Sequence, residues 1–146
     1  MSHVRKQIKD AFQVALAAGL PGYDVFSSRK YARNVLARPM IDMRFLNENV
    51  DADTMGSARR RTASLYLRVQ RSAPEAQLDD LLDADEVAIN DVVMAVDWRS
   101  LLEETPELKQ VNWSDATEGG DMIGAIVLRY DVEYRVDQDD FETVRA

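Results

Sequence analysis

Residues 122–136 read Met122-Ile-Gly-Ala-Ile-Val-Leu-Arg-Tyr-Asp-Val-Glu-Tyr-Arg-Val136. Gly124, Ile126, Leu128, Tyr130, Val132, Tyr134 and Val136 fall on one parity. Ile123, Ala125, Val127, Arg129, Asp131, Glu133 and Arg135 fall on the other, which changes from apolar to charged along its length. Successive side chains of a strand point to opposite faces, so this period of two describes a long strand with one buried face. Two shorter stretches repeat the pattern. In Thr62–Gln70, Ala63, Leu65, Leu67 and Val69 alternate with Thr62, Ser64, Tyr66, Arg68 and Gln70. In Met40–Leu46, Ile41, Met43 and Phe45 alternate with Asp42 and Arg44. Tyr23–Ser27 and Leu108–Trp113 are further strand candidates.

Helical spacing appears twice. Val4, Ile8, Ala11, Phe12, Ala15 and Leu16 form one apolar stripe, with Ser2 as a candidate cap, Gly19 as a stop and Pro21 beyond it. After Ser72 and Pro74, the residues Leu78, Leu82, Asp85, Ile89, Val92, Val93 and Val96 keep the same period, and Leu81 widens the stripe. Asp79, Asp80, Asp83 and Asp91 occupy the other side. A short third helix is expected over Arg99–Glu104, closed by Pro106. Residues 28–37 read as an irregular basic connection, and Asn47–Ala58 as a long hairpin loop.

The order α-β-β-β-α-(α)-β-β predicts an α+β fold. It has an antiparallel or mixed sheet of about four to five strands, with two main helices on one face. Residues 1–137 are expected to form a single domain. Residues 138–146 are expected to be a short, acidic, frayed tail.

Composition narrows the functions available. The chain has 146 residues, 46% of them hydrophobic and 30% charged, which is ordinary for one globular domain. It has no cysteine, so disulfides, thiolate metal sites and cysteine nucleophiles are absent together. Its one histidine is His3, which leaves no material for a histidine-based zinc site or a Ser-His-Asp triad. Met1–Leu20 is amphipathic and is not expected to act as a signal peptide. No apolar run approaches the roughly 20 residues of a membrane span.

The net charge is -8. Residues 1–71 hold 13 Lys/Arg and 6 Asp/Glu, whereas residues 72–146 hold 5 and 20. One basic half and one acidic half can fold against each other, or can present opposite charges on two surfaces for head-to-tail assembly.

Motifs that suggest chemistry are weak. Asp51-Ala-Asp53-Thr-Met55-Gly56 resembles the start of a calcium loop, but Met55 and Thr62 stand where oxygen ligands are needed. The acids Asp79, Asp80, Asp83, Asp85 and Glu86 are expected to form a solvated helix face and not a metal site. Arg59-Arg60-Arg61 leads from a loop into a strand. It suits either a grip on phosphate or carboxylate or a solubilising strand start. Gly119-Gly120 precedes a strand, so it is not a phosphate loop. Trp98 and Trp113 are read as core or rim residues, and Tyr130 and Tyr134 as core. Arg68 and the pair Asp131 and Glu133 can meet across strands, or can steer a neighbouring subunit from an edge.

Four segments together resemble the tail terminator (tail completion) proteins of long-tailed bacteriophages and gene transfer agents. They are His3–Phe12 with Asp24–Arg29, Arg59–Val69, Leu78–Val96 and Ile123–Arg135. They span nearly the whole chain, and they match in order and spacing without a catalytic signature. The chain departs from the family at Arg38–Leu46, where Asp42 and Arg44 interrupt a strand that is more uniformly apolar elsewhere.

The resemblance implies a non-enzymatic structural protein of the virion, assembled in the host bacterial cytoplasm, with no cofactor. Its subunits form a homo-oligomeric ring of six on the head-proximal end of the tail tube. The ring stops tube polymerisation and meets the head–tail connector or stopper protein. DNA passes through the lumen without specific binding, which suits a net negative charge. No membrane partner is implied.

Three surfaces are candidates for subunit or tube contacts. The first is the loop Asn47–Arg61, with Asn47, Glu48, Asp51, Asp53, Arg59, Arg60 and Arg61. The second is the polar strand face of Arg129, Asp131, Glu133 and Arg135, with Arg68. The third is the basic stretch Arg29, Lys30 and Arg33. Two rival readings remain: a neck or head-completion protein, and a small cytoplasmic ligand-binding or hydrolase-like domain, which would need a pocket of convergent polar groups.

Overall fold

A computed structural model describes residues 3–27, 38–52, 58–118, 121–137 and 140–144. Two helices, α1 (Val4–Gly19) and α2 (Glu75–Ala95), accompany six strands. The strands are β1 (Asp24–Val25), β2 (Met40–Ala52), β3 (Ala58–Ala73), β4 (Glu107–Glu118), β5 (Asp121–Asp137) and β6 (Asp140–Val144). Five of them follow the order β1-β2-β3-β5-β4, and β6 pairs with β5 off that path. Among the described residues only β1 and β2 run parallel; the other pairs are antiparallel. This is the α+β fold with a mixed sheet that the alternation predicts.

The stretch at 122–136 sits at the centre. β5 is hydrogen-bonded to β3 from Met122 opposite Ala73 to Asp137 opposite Ala58. Ile126, Leu128, Tyr130, Val132 and Tyr134 of β5 are buried with Ala63, Leu65, Leu67 and Val69 of β3. Val4, Ile8, Phe12 and Leu16 of α1 and Leu78, Leu82, Ile89 and Val93 of α2 complete the core. The helices therefore cover one sheet face, and the other parity of each strand faces away from them.

Close approaches fix the layers. A Cβ built on Gly124 would lie 2.7 Å from Leu78 Cδ2, so α2 rests directly on the backbone of β5 there. A Cβ on Gly19 would lie 2.7 Å from Val92 Cγ2, where the end of α1 meets α2. The Trp98 indole N–H donates to the Val93 carbonyl at 2.9 Å, and its ring lies 4.6 Å from that of Phe12. Trp98 is thus a core residue, whereas Trp113 is 60% exposed.

Several boundaries differ from the sequence reading. His3 caps α1, its Nδ1 accepting from the Arg5 N–H at 3.0 Å, and the candidate cap Ser2 lies outside the described residues. Arg99–Glu104 forms turns and no third helix; the N–H groups of Leu101 and Leu102 both donate to the Trp98 carbonyl. β2 continues to Ala52, so the first part of the expected hairpin loop is strand. A bulge between Phe45 and Asn47 accommodates Leu46 as an extra residue and reverses the parity beyond it. The acidic segment after residue 137 contributes β6 to the sheet, where fraying was expected.

Candidate interaction surface

The sheet face turned away from the helices is built from cross-strand rows. In one row, Asp42, Arg68, Val127 and Asn112 stand opposite one another on β2, β3, β5 and β4. In the next, Arg44, Tyr66, Arg129 and Gln110 do so. A shallow cavity of about 380 Å³ lies over these rows, lined by Asp42, Arg44, Leu46, Tyr66, Arg68 and Val127 among others.

Ion pairs satisfy most of the charge on this face. Arg68 grips Asp42 with two bonds of 3.1 and 2.5 Å, and Asp42 is only 2% exposed. That pairing explains how the chain departs from a uniformly apolar strand at Asp42: the carboxylate is buried with its counter-ion, as a buried charge requires. Arg129 donates to both oxygens of Asp131 at 3.1 and 3.2 Å, and the Ser64 hydroxyl donates to Asp131 at 3.0 Å. Arg60 lies 3.5 Å from Glu133, and Arg135 lies 3.5 Å from Glu103.

The residues of the second candidate surface, Arg129, Asp131, Glu133 and Arg135, are therefore on one face, as the alternation predicts. Arg68 does not meet Asp131 or Glu133, although β3 and β5 do pair. It stands opposite Val127, and its carboxylate partner is on β2.

The first candidate surface divides. The bulge turns Glu48 to the helix side, where it accepts from the Tyr134 hydroxyl and, at 2.7 Å, from Arg61. Arg5 of α1 lies 3.9 Å from the same carboxylate. Burial, with the hydrogen bond to Glu48 second, raises the pKa of Tyr134. Burial and the nearby Arg5 lower that of His3. Glu48 and Arg61 are thus fold-holding residues at the start of α1, and Arg60 and Asn47 remain on the outer face. Asp51 and Arg59 lie within the β2–β3 ladder, opposite Arg60 and Ala52. Asp53, Arg29, Lys30 and Arg33 lie outside the described residues.

Asp85 is a further correction. It is not part of a solvated acidic face but is 1% exposed, on the side of α2 turned to the sheet. It holds Arg71 of β3 at 2.7 and 2.8 Å and accepts from the Tyr23 hydroxyl. Among the described residues no group of three or more His, Asp or Glu side chains could hold a metal ion. No helix of the structure is long and apolar enough to cross a membrane.

Two exposed or half-exposed residues of this face are not among the sequence candidates: Leu46 and Tyr66. Leu46 is 51% exposed; it keeps the outer parity of Asp42 and Arg44 and is the extra residue of the bulge. The signal available for Tyr66 was its polar parity within an otherwise hydrophilic set.

No family model matches the chain, and no curated protein matches it. Among solved structures, a chain from the virion of a native gene transfer agent (GTA) particle aligns over 88% of this chain and 91% of that one, at 18% identity and a TM-score of 0.45.

Proposed function

We propose that this chain is a tail-terminator-type structural subunit of a phage or phage-like particle. In this reading it has no enzymatic role. It forms a ring on the head-proximal end of the tail tube, stops tube growth and provides the surface on which the head connector docks.

The observation that carries the proposal is how the topology distributes charge. β1, β2 and β3 come from the half of the chain with 13 Lys/Arg and 6 Asp/Glu. β5 and β4 come from the half with 5 and 20, and they form the other side of the sheet. The basic half of the sequence thus supplies the β1–β2 side of the sheet and the acidic half its β4 side, with the acidic helix α2 packed over β3 and β5. A ring built head to tail joins unlike patches on successive subunits, and this distribution suits such a contact. The four segments that carry the resemblance also coincide with the framework elements α1 with β1, β3, α2 and β5. The likeness therefore concerns the layers themselves and not a peripheral motif.

The test is deletion of the gene in the particle that encodes it, followed by negative-stain electron microscopy. Overlong, headless tails of variable length are the expected result. Filled heads that leak DNA beside tails of normal length would move the protein to the head side of the neck. Intact infectious particles would end the proposal.

A further inference from the structure

Among the described residues, the sheet has two long edges with no strand partner along much of their length. β1 pairs with β2 only at Met40 and Ile41, and β2 runs on to Ala52. On the opposite side, β4 pairs with β5 alone and presents its outer edge over Glu107–Glu118. A bare strand edge is a row of N–H and C=O groups ready to pair with another chain, and folds that keep it idle shorten, bulge or charge it. β4 has a bulge between Leu108 and Gln110 that sets Lys109 out of register, and charges near its two ends, Glu107 and Lys109 at one and Asp115 and Glu118 at the other. From Gln110 to Glu118 the ladder is regular and contains no proline, and it carries the exposed Trp113.

We infer that the outer edge of β4 pairs with the outer edge of β2 in the next copy, so that neighbouring subunits join their sheets edge to edge. The inference deepens the ring reading above and rests on it. Three observations select this partner.

The first is strand direction. β2 is antiparallel to β3, β3 to β5 and β5 to β4, so β2 and β4 run opposite ways. Rotating a copy about an axis along the strands brings its β2 antiparallel to β4, and antiparallel ladders are the more stable kind.

The second is the position of the free stretches. β4 extends from the level of Asp131 towards Asp121, the end of the sheet where β1 shields β2. β2 beyond its bulge extends the other way, towards Ala52 opposite Arg59. The two free stretches share only the level of Val127–Asp131, so pairing them over most of their length needs an offset along the strands, and a staggered register is what closing a tilted sheet requires.

The third is charge. Residues 1–52, which lead through α1 and β1 and form β2, hold 8 Lys/Arg and 5 Asp/Glu; Arg29, Lys30 and Arg33 of these lie outside the described residues. Residues 97–118, which lead into and form β4, hold 2 and 6. Pairing β4 with β4 of a second copy would set the acidic flank against itself, whereas pairing with β2 sets it beside a segment with a small basic excess.

The absence of cysteine makes a clean test. Asn47 and Asn112 are exposed and share the outer sheet face, one on each edge strand. The double variant Asn47→Cys/Asn112→Cys and both single variants would replace the wild-type gene in the particle. Purified particles, and the purified chain at high concentration, would be treated with a short bis-maleimide and resolved on a denaturing gel. The expected result is a ladder of covalent multimers from the double variant and monomer from each single variant. Covalent dimer from Asn112→Cys alone would mean a two-fold β4–β4 contact and overturn the inference. Monomer from all three variants, with the chain present in the particles, would also overturn it and leave the ring reading standing. If the wild-type chain were missing from the particles, the ring reading would fail, and monomer from the purified double variant would then end the edge-pairing inference as well.

Discussion

The Asp85 carboxylate holds both Nε and Nη2 of Arg71, at 2.8 and 2.7 Å, across the boundary between α2 and the sheet. Tyr23, just ahead of β1, donates its hydroxyl to the same carboxylate, and the Arg71 guanidinium lies 6.0 Å from the Tyr23 ring. Three segments distant in sequence thus converge on one carboxylate that is 1% exposed. Removing one partner of a buried pair leaves an uncompensated charge, so Asp85→Ala is expected to destabilise the fold by about 3–5 kcal/mol. The double variant Arg71→Met/Asp85→Leu removes both charges and should recover most of that loss. Urea unfolding of the variants measures both. A double variant as unstable as Asp85→Ala would mean that the pair is needed for more than its own neutralisation.

The same three groups give a pH dependence. Burial, with the Asp85 hydrogen bond second, pushes the Tyr23 pKa up from 10.0 to about 12. Tyr130 and Tyr134 are also raised, chiefly by burial. A tyrosine raised in the folded state stays protonated while its unfolded counterpart ionises. Its stabilisation is therefore complete below the unfolded value and is lost as pH rises through the folded one. The melting temperature should fall as pH rises from 10 towards 12, and phenolate absorbance should show tyrosines that ionise late. Tyr23→Phe should flatten part of that fall. A melting temperature independent of pH over this window would contradict the prediction.

Two glycines are held by contact with the opposite layer. A methyl group at Gly124 would press on Leu78, itself 3% exposed, with Cγ, Cδ1 and Cδ2 all within 2.9 Å. Overpacking of this kind costs about 1–3 kcal/mol, so Gly124→Ala should lie in that range. Adding Leu78→Val should relieve part of the loss. For Gly19→Ala, at the last residue of α1, part of the helix-propensity gain that is about 1 kcal/mol in a helix interior offsets the clash with Val92. That variant should therefore be the milder of the two. Chemical denaturation of the three variants decides the order.

Much of this architecture is legible in the alternation because the helices cover only one sheet face. The buried parity of β3 and β5 is therefore also the apolar parity, and the stripe Val4, Ile8, Phe12 and Leu16 marks the inner face of α1. What escapes is decided by partners far away in sequence. Glu48 reads as a loop residue because the bulge at Leu46 reverses parity, and the groups that satisfy it, Arg61 and Tyr134, lie on two other strands. Asp85 keeps the apolar period of α2, yet only the position of Arg71 shows why a carboxylate can stand there. β6 carries several acids, so composition suggested a tail, whereas the backbone pairs at Val136 with Val144 and at Asp137 with Asp140.

The outer sheet face and the helix side of the β2–β3 hairpin make opposite demands on neighbouring arginines. Arg61 faces inward, with 14% of its side chain exposed, and bonds Glu48 at 2.7 Å. Arg60 faces outward, with 47% exposed, and lies 3.5 Å from Glu133. Losing a charged hydrogen-bond partner of a nearly buried carboxylate costs about 1.5–3 kcal/mol, so Arg61→Ala should weaken the fold by that much. An exposed ion pair is worth about 0–1 kcal/mol, so Arg60→Ala should leave the fold nearly unchanged. The two variants therefore separate stability from assembly. If the outer face serves subunit or tube contacts, Arg60→Ala should alter particle assembly or tail length in a chain that melts like the wild type. Arg61→Ala should affect assembly only in proportion to its loss of stability. Normal tails from Arg60→Ala would remove that residue from the contact surface, and Arg44, exposed in the row that contains Tyr66, would be the next position to substitute.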